Sequence, residues 1–247
     1  MIIDSHAHLK HGDAAHTEYS PQQIVATMDA AGIDKAVVFG ICTTPERAIE
    51  MARAAAEQFP ARLIPYAYGL PSYTGNVLRL VERAVREYGF KGIKIHAGEC
   101  TLSDYVSDPI FALAGDLGVP CLVDCCGNCT AMERPAAKFP KTRIIVAHLG
   151  LYLATDVRVI DNFIALAERR PNVLLDVSGV VQSWKIREAV QRIGSSRIVW
   201  GTDGPHPCPD TATFARDELA RVRALRLAPA DEEAVLGGAI ARVLGVH

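Results

Sequence analysis

Two histidines stand two residues apart in the first apolar run of the chain, Met1-Ile-Ile-Asp-Ser-His-Ala-His-Leu9. On a strand, side chains two apart share a face. His6 and His8 are therefore held side by side, which is how a transition-metal site begins. A His-x-His pair alone is weak evidence. It gains weight because His96, His148 and Asp203 each fall near the end of a later apolar run. Bare polar groups in such places are costly, so ligation of a metal outweighs the alternative of core histidines bonded to backbone. Asp203, in Ile198-Val-Trp-Gly-Thr-Asp-Gly-Pro-His206, can ligate a metal, take a proton from water, or do both.

Other residues carry more evenly balanced readings. Lys94 and His96 share a strand face in Gly92-Ile-Lys-Ile-His96. An inward lysine there can bind an anionic substrate or become a metal-bridging carbamate; a solvated strand-end lysine is the plain alternative. His96 is a candidate for substrate contact or ligation. Asp124 ends the apolar run Cys121-Leu-Val-Asp124. That is unusual for a carboxylate unless it is paired, on a metal, or capping the next turn. Trp184 either lines the mouth of the site or covers its rim. The seven cysteines include a cluster, Cys121, Cys125, Cys126 and Cys129. Cys126-Gly-Asn-Cys129 has redox or zinc-knuckle spacing but no second pair to complete a structural site. Reduced thiols packed near the fifth strand are expected.

These residues need a scaffold that brings strand ends together. Short β-rich runs at 2–8, 36–42, 63–70, 92–97, 120–125, 143–149, 173–177 and 198–201 alternate with helical patterns at 21–31, 45–58, 74–88, 109–117, 156–170, 210–225 and 231–244. The runs are continuously apolar, as in parallel strands covered on both faces. Thr44 and Asp108 are expected to cap the second and fourth helices. Eight strands in one domain length predict a single-domain (β/α)8 barrel over residues 1–247, with an open doubly wound sheet as the alternative. His8, His96, Asp124, His148, Ser178 and Asp203 all lie at or near C-terminal strand ends, the face on which such barrels build active sites.

Bulk properties narrow the partners. The chain has 247 residues and a formal net charge of -2, with no basic block. That argues against nucleic acid or an anionic membrane and toward a small-molecule substrate. No run approaches a membrane span, and residues 1–9 carry no signal-peptide pattern, so a cytoplasmic enzyme is expected.

Ile-Asp-Ser-His-Ala-His, Gly-Ile-Lys-Ile-His, Val-Ala-His-Leu-Gly, Trp-Gly-Thr-Asp-Gly-Pro-His and the closing Leu-Gly-Gly-Ala-Ile-Ala-Arg-Val-Leu occur in this order across the whole chain. Together they resemble the amidohydrolase superfamily, in particular the amidohydrolase-related branch that includes aminocarboxymuconate-semialdehyde decarboxylase-like enzymes. The resemblance implies that His6 and His8 are ligands from strand one, that Asp203 is ligand and proton acceptor from strand eight, and that His148 polarises substrate or assists the water. It implies one divalent ion, zinc first, with manganese or iron as the other candidates, and leaves room for a homodimer packed through outer helices.

Two departures stand out. Asp124 occupies the place where the family usually has a ligand histidine. If it replaces that ligand, a His/His/Asp/Asp set neutralises the ion, weakens its acidity and favours harder metals; otherwise His96 swings in, or metal is held weakly. Ala239, in Gly237-Gly-Ala239, stands where asparagine is common, which could alter a capping contact near the barrel mouth. The leading expectation is hydrolysis of a small amide, lactone or ester. Asp203 shuttles the proton, and Lys94, His96 and His206 orient the substrate. Non-redox decarboxylation of a small unsaturated or aromatic acid is the second reading, and a degenerate ligand-binding barrel the third.

Overall fold

A computed structural model, which describes residues 1–71 and 75–246, shows eight strands joined edge to edge in sequence order. They are β1 (Ile3–Lys10), β2 (Lys35–Gly40), β3 (Leu63–Tyr68), β4 (Gly92–His96), β5 (Cys121–Asp124), β6 (Ile144–Val146), β7 (Val173–Asp176) and β8 (Ile198–Val199). Every neighbouring pair is parallel. The chain after β8 closes the sheet onto β1: Ser5 N donates to Trp200 O (3.0 Å), Asp203 N donates to His6 O (2.8 Å), and Ala7 bridges Gly204 in parallel. This is a (β/α)8 barrel, and the open-sheet alternative is excluded.

Helices α1 (Pro21–Ala31), α2 (Pro45–Gln58), α3 (Val77–Tyr88), α4 (Asp104–Leu117), α5 (Cys129–Lys138), α6 (Val157–Arg169), α7 (Trp184–Ile193) and α8 (Thr211–Arg223) form the outer ring. The chain ends in α9 (Pro229–Glu233), a π-helical turn over Ala234–Gly238 and α10 (Ala239–Leu244). Their starts follow sequence chemistry. Ser20 and Gln23 form a reciprocal capping box before Pro21, and Thr44 caps α2 through Arg47 N. Thr74, where the third helical pattern begins, lies outside the described residues. Two expectations are corrected. Helix α4 starts at Asp104 and runs through Pro109, so Asp108 is not a cap; it pairs with Arg134 (3.0 Å) and Lys138 (2.9 Å) of α5. Helices α5 and α7 were absent from the sequence pattern.

Alternation along the strands makes two apolar layers. Val37, Phe39, Tyr66, Tyr68, Leu122, Ile145, Leu174 and Val199 fill the barrel. Their neighbours Ala36, Val38, Val123, Val146, Leu175 and Ile198 face the helices. Each large side chain so buried contributes about 1.5–3 kcal/mol. Ala239, fully buried, packs in the inner cluster with Ile3, Ile240 and Leu244 at the barrel's base, not at its mouth. Beside it Gly237 admits the backbone leading into β1: a Cβ there would sit 2.3 Å from Met1 O and 3.2 Å from Ile3 N.

Strand β1 is irregular, and its irregularity aims the paired histidines. Ile3 points into the barrel, and strict alternation would turn His6 and His8 outward. The pairing with β2 shifts register between Asp4 and Ala7. A bulge of this kind re-aims side chains, and beyond it His6 and His8 face the barrel interior against Phe39 (ring centroids 5.4 and 4.7 Å).

Candidate active site

The C-terminal strand ends surround a cavity of about 420 Å³ whose lining includes His8, Lys94, His96, Asp124, His148 and Asp203. At its floor the imidazoles of strand one meet the carboxylate that follows strand eight. His6 Nε2 and His8 Nε2 each lie 3.0 Å from Asp203 Oδ1. Asp203 reaches this position through a left-handed backbone (φ 58°). Gly201, two residues earlier, is needed because a Cβ there would fall 2.7 Å from His6 Cβ and 3.0 Å from Asp176 Oδ2.

His148 is placed by the same device. Strand β6 ends at Val146 and the chain tightens into a 3-10 turn, with His148 at φ 60°, ψ 30°. Its Nδ1 lies 2.9 Å from Ser178 O, an acceptor only, so that nitrogen carries the proton. Its Nε2 is left facing Asp124 Oδ2 (3.6 Å) and Asp203 Oδ1 (3.9 Å). Left-handed residues other than glycine are uncommon and cost about 1–3 kcal/mol. Cys42 and Cys126, just beyond β2 and β5, share the conformation.

Beneath the floor lies Asp176, at the end of β7 and fully buried. It accepts from His148 N (3.1 Å) and from the Ser178 hydroxyl, and stands 3.5 Å from His6 Nδ1. This carboxylate, with Ser178, orients both imidazoles. Asp176 escaped the sequence reading, although Val173-Leu-Leu-Asp176 has the pattern that drew attention to Cys121-Leu-Val-Asp124. His11, Glu99, Tyr68 and Tyr152 were missed too, because they lie on loops or at a strand end with nothing unusual in their immediate sequence.

The charges are strongly coupled. Burial pulls His8 well below the usual imidazole range, against the pull of Asp203, leaving a neutral ring. Burial opposes ionisation of Asp203, but His6 and His148 outweigh it and hold the carboxyl well below the ordinary range. Asp124 is likewise held low, its burial overcome by His148 and Lys94. His148 itself is lifted to about 9: burial works against the imidazolium, and Asp203, Asp124 and Asp176 prevail. Lys94, fully buried with Nζ 2.9 Å from His6 Nε2, is lowered by burial and partly restored by Asp124, Asp203 and Asp176.

The donor set fits a metal ion. One nitrogen each from His6 and His8 and one oxygen from Asp203 lie within 4.8 Å of one another. Two imidazoles and a carboxylate beside an open cavity make a three-ligand site with a free position, the catalytic rather than the structural pattern. A second set, His6, His148 and Asp176, is fully buried and already tied together by hydrogen bonds. Asp124 stands apart from both sets, between His148 and His96 (Nε2 to Oδ2, 3.5 Å). His206 points Nε2 toward Asp203 Oδ2 (3.9 Å), and its ring lies tilted against His11 (centroids 4.9 Å). Trp184 does not join the cavity. It opens α7, half-exposed, with its ring over Lys185 Nζ (4.5 Å). All seven cysteines are free: Cys121 and Cys125 are buried beside β5, and Cys126 is exposed.

A closed parallel barrel whose C-terminal mouth gathers histidines and carboxylates around a potential cation site defines a class of metal-dependent (β/α)8 enzymes. The chain matches the amidohydrolase family over residues 3–246 and belongs to it. Solved structures agree on the fold. An amidohydrolase from Burkholderia multivorans with bound zinc aligns over 100% of both chains with a TM-score of 0.80 at 16% identity. The 5-carboxyvanillate decarboxylase of Sphingomonas paucimobilis aligns over 100% of this chain and 99% of its own, with a TM-score of 0.77 at 14% identity. A probable 2-pyrone-4,6-dicarboxylic acid hydrolase from Acinetobacter baumannii aligns over 99% of both, with a TM-score of 0.75 at 16% identity. No match was found among curated proteins. Hydrolases and decarboxylases thus share this architecture. Among the described residues no helix is long and apolar enough to cross a membrane.

Proposed function

We propose that the protein is a metal-dependent hydrolase of a small amide, lactone or ester. The observation that carries this reading is the convergence of His6 Nε2 and His8 Nε2 on one oxygen of Asp203 at the floor of an open cavity. These three residues would hold one divalent ion, zinc first among the candidates. Bound there, it would supply Lewis acidity and lower the pKa of a water molecule.

The chain's own groups divide the remaining work. Asp203 keeps its carboxylate ionised and accepts the proton of the attacking water, then returns it to the leaving group. His148, with Nδ1 engaged by Ser178 O, directs Nε2–H into the cavity and donates to the substrate carbonyl oxygen. Asp124 stabilises the charged form of His148 and faces His96 from the same side. His206 stands near the second oxygen of Asp203, where it would help to orient the substrate. Asp176 and Ser178 hold His6 and His148 from below.

One observation favours decarboxylation as a second reading: Lys94 buries a cation beside His6, where a substrate carboxylate could be received. A single experiment separates the readings. Protein purified without chelator is analysed for zinc, manganese and iron, then assayed on lactones, esters, amides and aromatic acids, with acid release and carbon dioxide measured in parallel. Hydrolysis predicts about one metal per chain and acid release that disappears in His6→Ala and Asp203→Asn together with the metal. Carbon dioxide evolution without acid release from any neutral substrate would replace this reading by the second. Equal metal content in all three proteins would defeat the ligand assignment.

A further inference from the structure

The cavity has two unlike walls. One, built from β1, β6, β7 and β8, holds His6, His8, His148 and Asp203. The facing arc comes from the segments after β1, β2 and β4, where Gly12, Cys42 and Glu99 adjoin: a Cβ on Gly12 would meet Cys42 Sγ at 2.7 Å, and Cys42 N donates to Glu99 Oε1 (3.0 Å). The Tyr68 hydroxyl, at the end of β3, donates to the same oxygen. Both bonds fall on Oε1. Among the described residues none reaches Oε2, and no lysine or arginine pairs with Glu99. Its nearest basic neighbour is His96, with Nδ1 at 3.9 Å, a ring that burial holds toward its neutral form.

Glu99 is thus a cavity-lining carboxylate clamped through one oxygen. It is placed by a fully buried tyrosine and a backbone amide, not by a flexible counter-ion. A second polar group lies on the same arc. His11, about nine-tenths buried, lines the cavity with an Nε2 that has no partner among the described residues. Buried polar atoms are normally satisfied. Asp13, held by Thr17 N (2.8 Å), adds negative charge at the outer edge. Lys94, whose Nζ lies against His6 rather than Glu99, is the one lysine in the cavity lining among the described residues, and no arginine lines it.

We propose that Glu99 is a specificity-determining residue, selecting substrates that carry a protonated amine or another N–H donor beside the hydrolysed carbonyl and disfavouring those with a carboxylate there. This deepens the hydrolase reading and rests on it for the carbonyl. The binding preference itself does not depend on turnover. A fixed carboxylate with one free oxygen makes a charge-assisted hydrogen bond to an ammonium group, and like charge opposite it is repelled.

The test is calorimetric binding of two lactams of equal size to the protein as isolated, one bearing an aminomethyl and one a carboxymethyl group. The wild type should bind the amine about tenfold or more tightly than the acid. Glu99→Gln should bring the two within about twofold. If that variant does not fold, Glu99→Asp, which withdraws the charge without removing it, should narrow the ratio. Equal or reversed affinities in the wild type, or a ratio untouched by either variant, overturn the proposal. Lactone hydrolysis without a Glu99-dependent preference rejects this inference alone. A Glu99-dependent preference in a protein that hydrolyses nothing rejects the hydrolase reading alone.

Discussion

The two ends of the barrel differ in kind. At the base, Ile3, Ala239, Ile240 and Leu244 form a closed apolar plug. At the mouth, His148 and Asp203 are held in left-handed backbone, and His6, His8, Lys94 and Asp176 are buried although polar. Each of those features costs stability in isolation. The cost is tolerated because each group is matched to a neighbour of opposite character. The base maintains the fold, and the mouth spends part of that stability on arrangement.

The strongest way to break this contrast is to change the mouth without touching the base. Asp203→Asn removes the negative charge on which His6 and His8 converge and replaces one carboxylate oxygen by an amide nitrogen. Its activity should fall by about 1,000-fold or more and its metal content should collapse, while the cooperative thermal transition is kept. Steady-state assays, metal analysis and calorimetry on one preparation decide it. Loss of the thermal transition would mean that the mouth, too, maintains the fold.

The reciprocal change is Gly237→Ala. Its methyl would lie 2.3 Å from Met1 O and 3.2 Å from Ile3 N, backbone atoms that cannot swing aside. Overpacking of this kind costs about 1–3 kcal/mol, which at roughly 2–4 °C per kcal/mol lowers Tm by several degrees. Activity per folded molecule and metal content should not change. A drop in both would show that the base and the mouth are coupled.

Asp124 sharpens the contrast inside the mouth. If it serves His148 by charge, Asp124→Asn should lower kcat by about 10- to 100-fold with metal retained; lost metal would make it a ligand. A pH measurement on chelated protein gives a second readout. Burial opposes the His148 imidazolium, but Asp203, Asp124 and Asp176 raise it from the ordinary 6.5 to about 9. A raised histidine stabilises the fold fully below its unfolded value. That contribution therefore shrinks as pH climbs from about 6.5 through about 9. Asp124→Asn should flatten this slope.

The fold was legible because parallel strands covered on both faces are continuous apolar runs, and eight of them stand out. Their caps were legible where a side chain does the capping, as at Thr44. Helix α7 has no side-chain cap bond at Ser183 and opens on an exposed Trp184, so its start carries no signal, although Ile186, Ala189, Val190 and Ile193 form a clear buried stripe. Helix α5 hides behind an internal Pro135. In the site, strand-end polarity pointed to the residues around the cavity. What no single sequence shows is the bulge in β1 that turns His6 and His8 inward, or the left-handed turns that aim His148 and Asp203. Both depend on contacts between distant strands. Glu99 is invisible for the same reason: Tyr68 and the Cys42 amide, both distant in sequence, make its carboxylate a fixed feature.

The smallest effect tests how far the mouth's cost extends into the helical layer. Glu218 of α8 is buried, accepts from Gly179 N (3.3 Å) and pairs with Arg221 (2.8 Å). Gly179 follows Ser178, which orients His148, so this carboxylate steadies the site from behind. Burial lifts it from the ordinary 4.5 to about 7, with Arg221 and the Gly179 amide opposing. An acid raised on folding keeps its proton where the unfolded chain has lost it. Stability therefore falls as pH rises from about 4.5 to about 7, and the penalty stays constant above that. Glu218→Gln keeps an acceptor for Gly179 N and removes the charge. It should raise Tm by a few degrees at pH 8, on the order of 1–2 kcal/mol, and leave it unchanged at pH 4.5. An equal gain at both values would mean that shape, not charge, is relieved. No gain at pH 8 would place the strain of this site wholly within the strand ends.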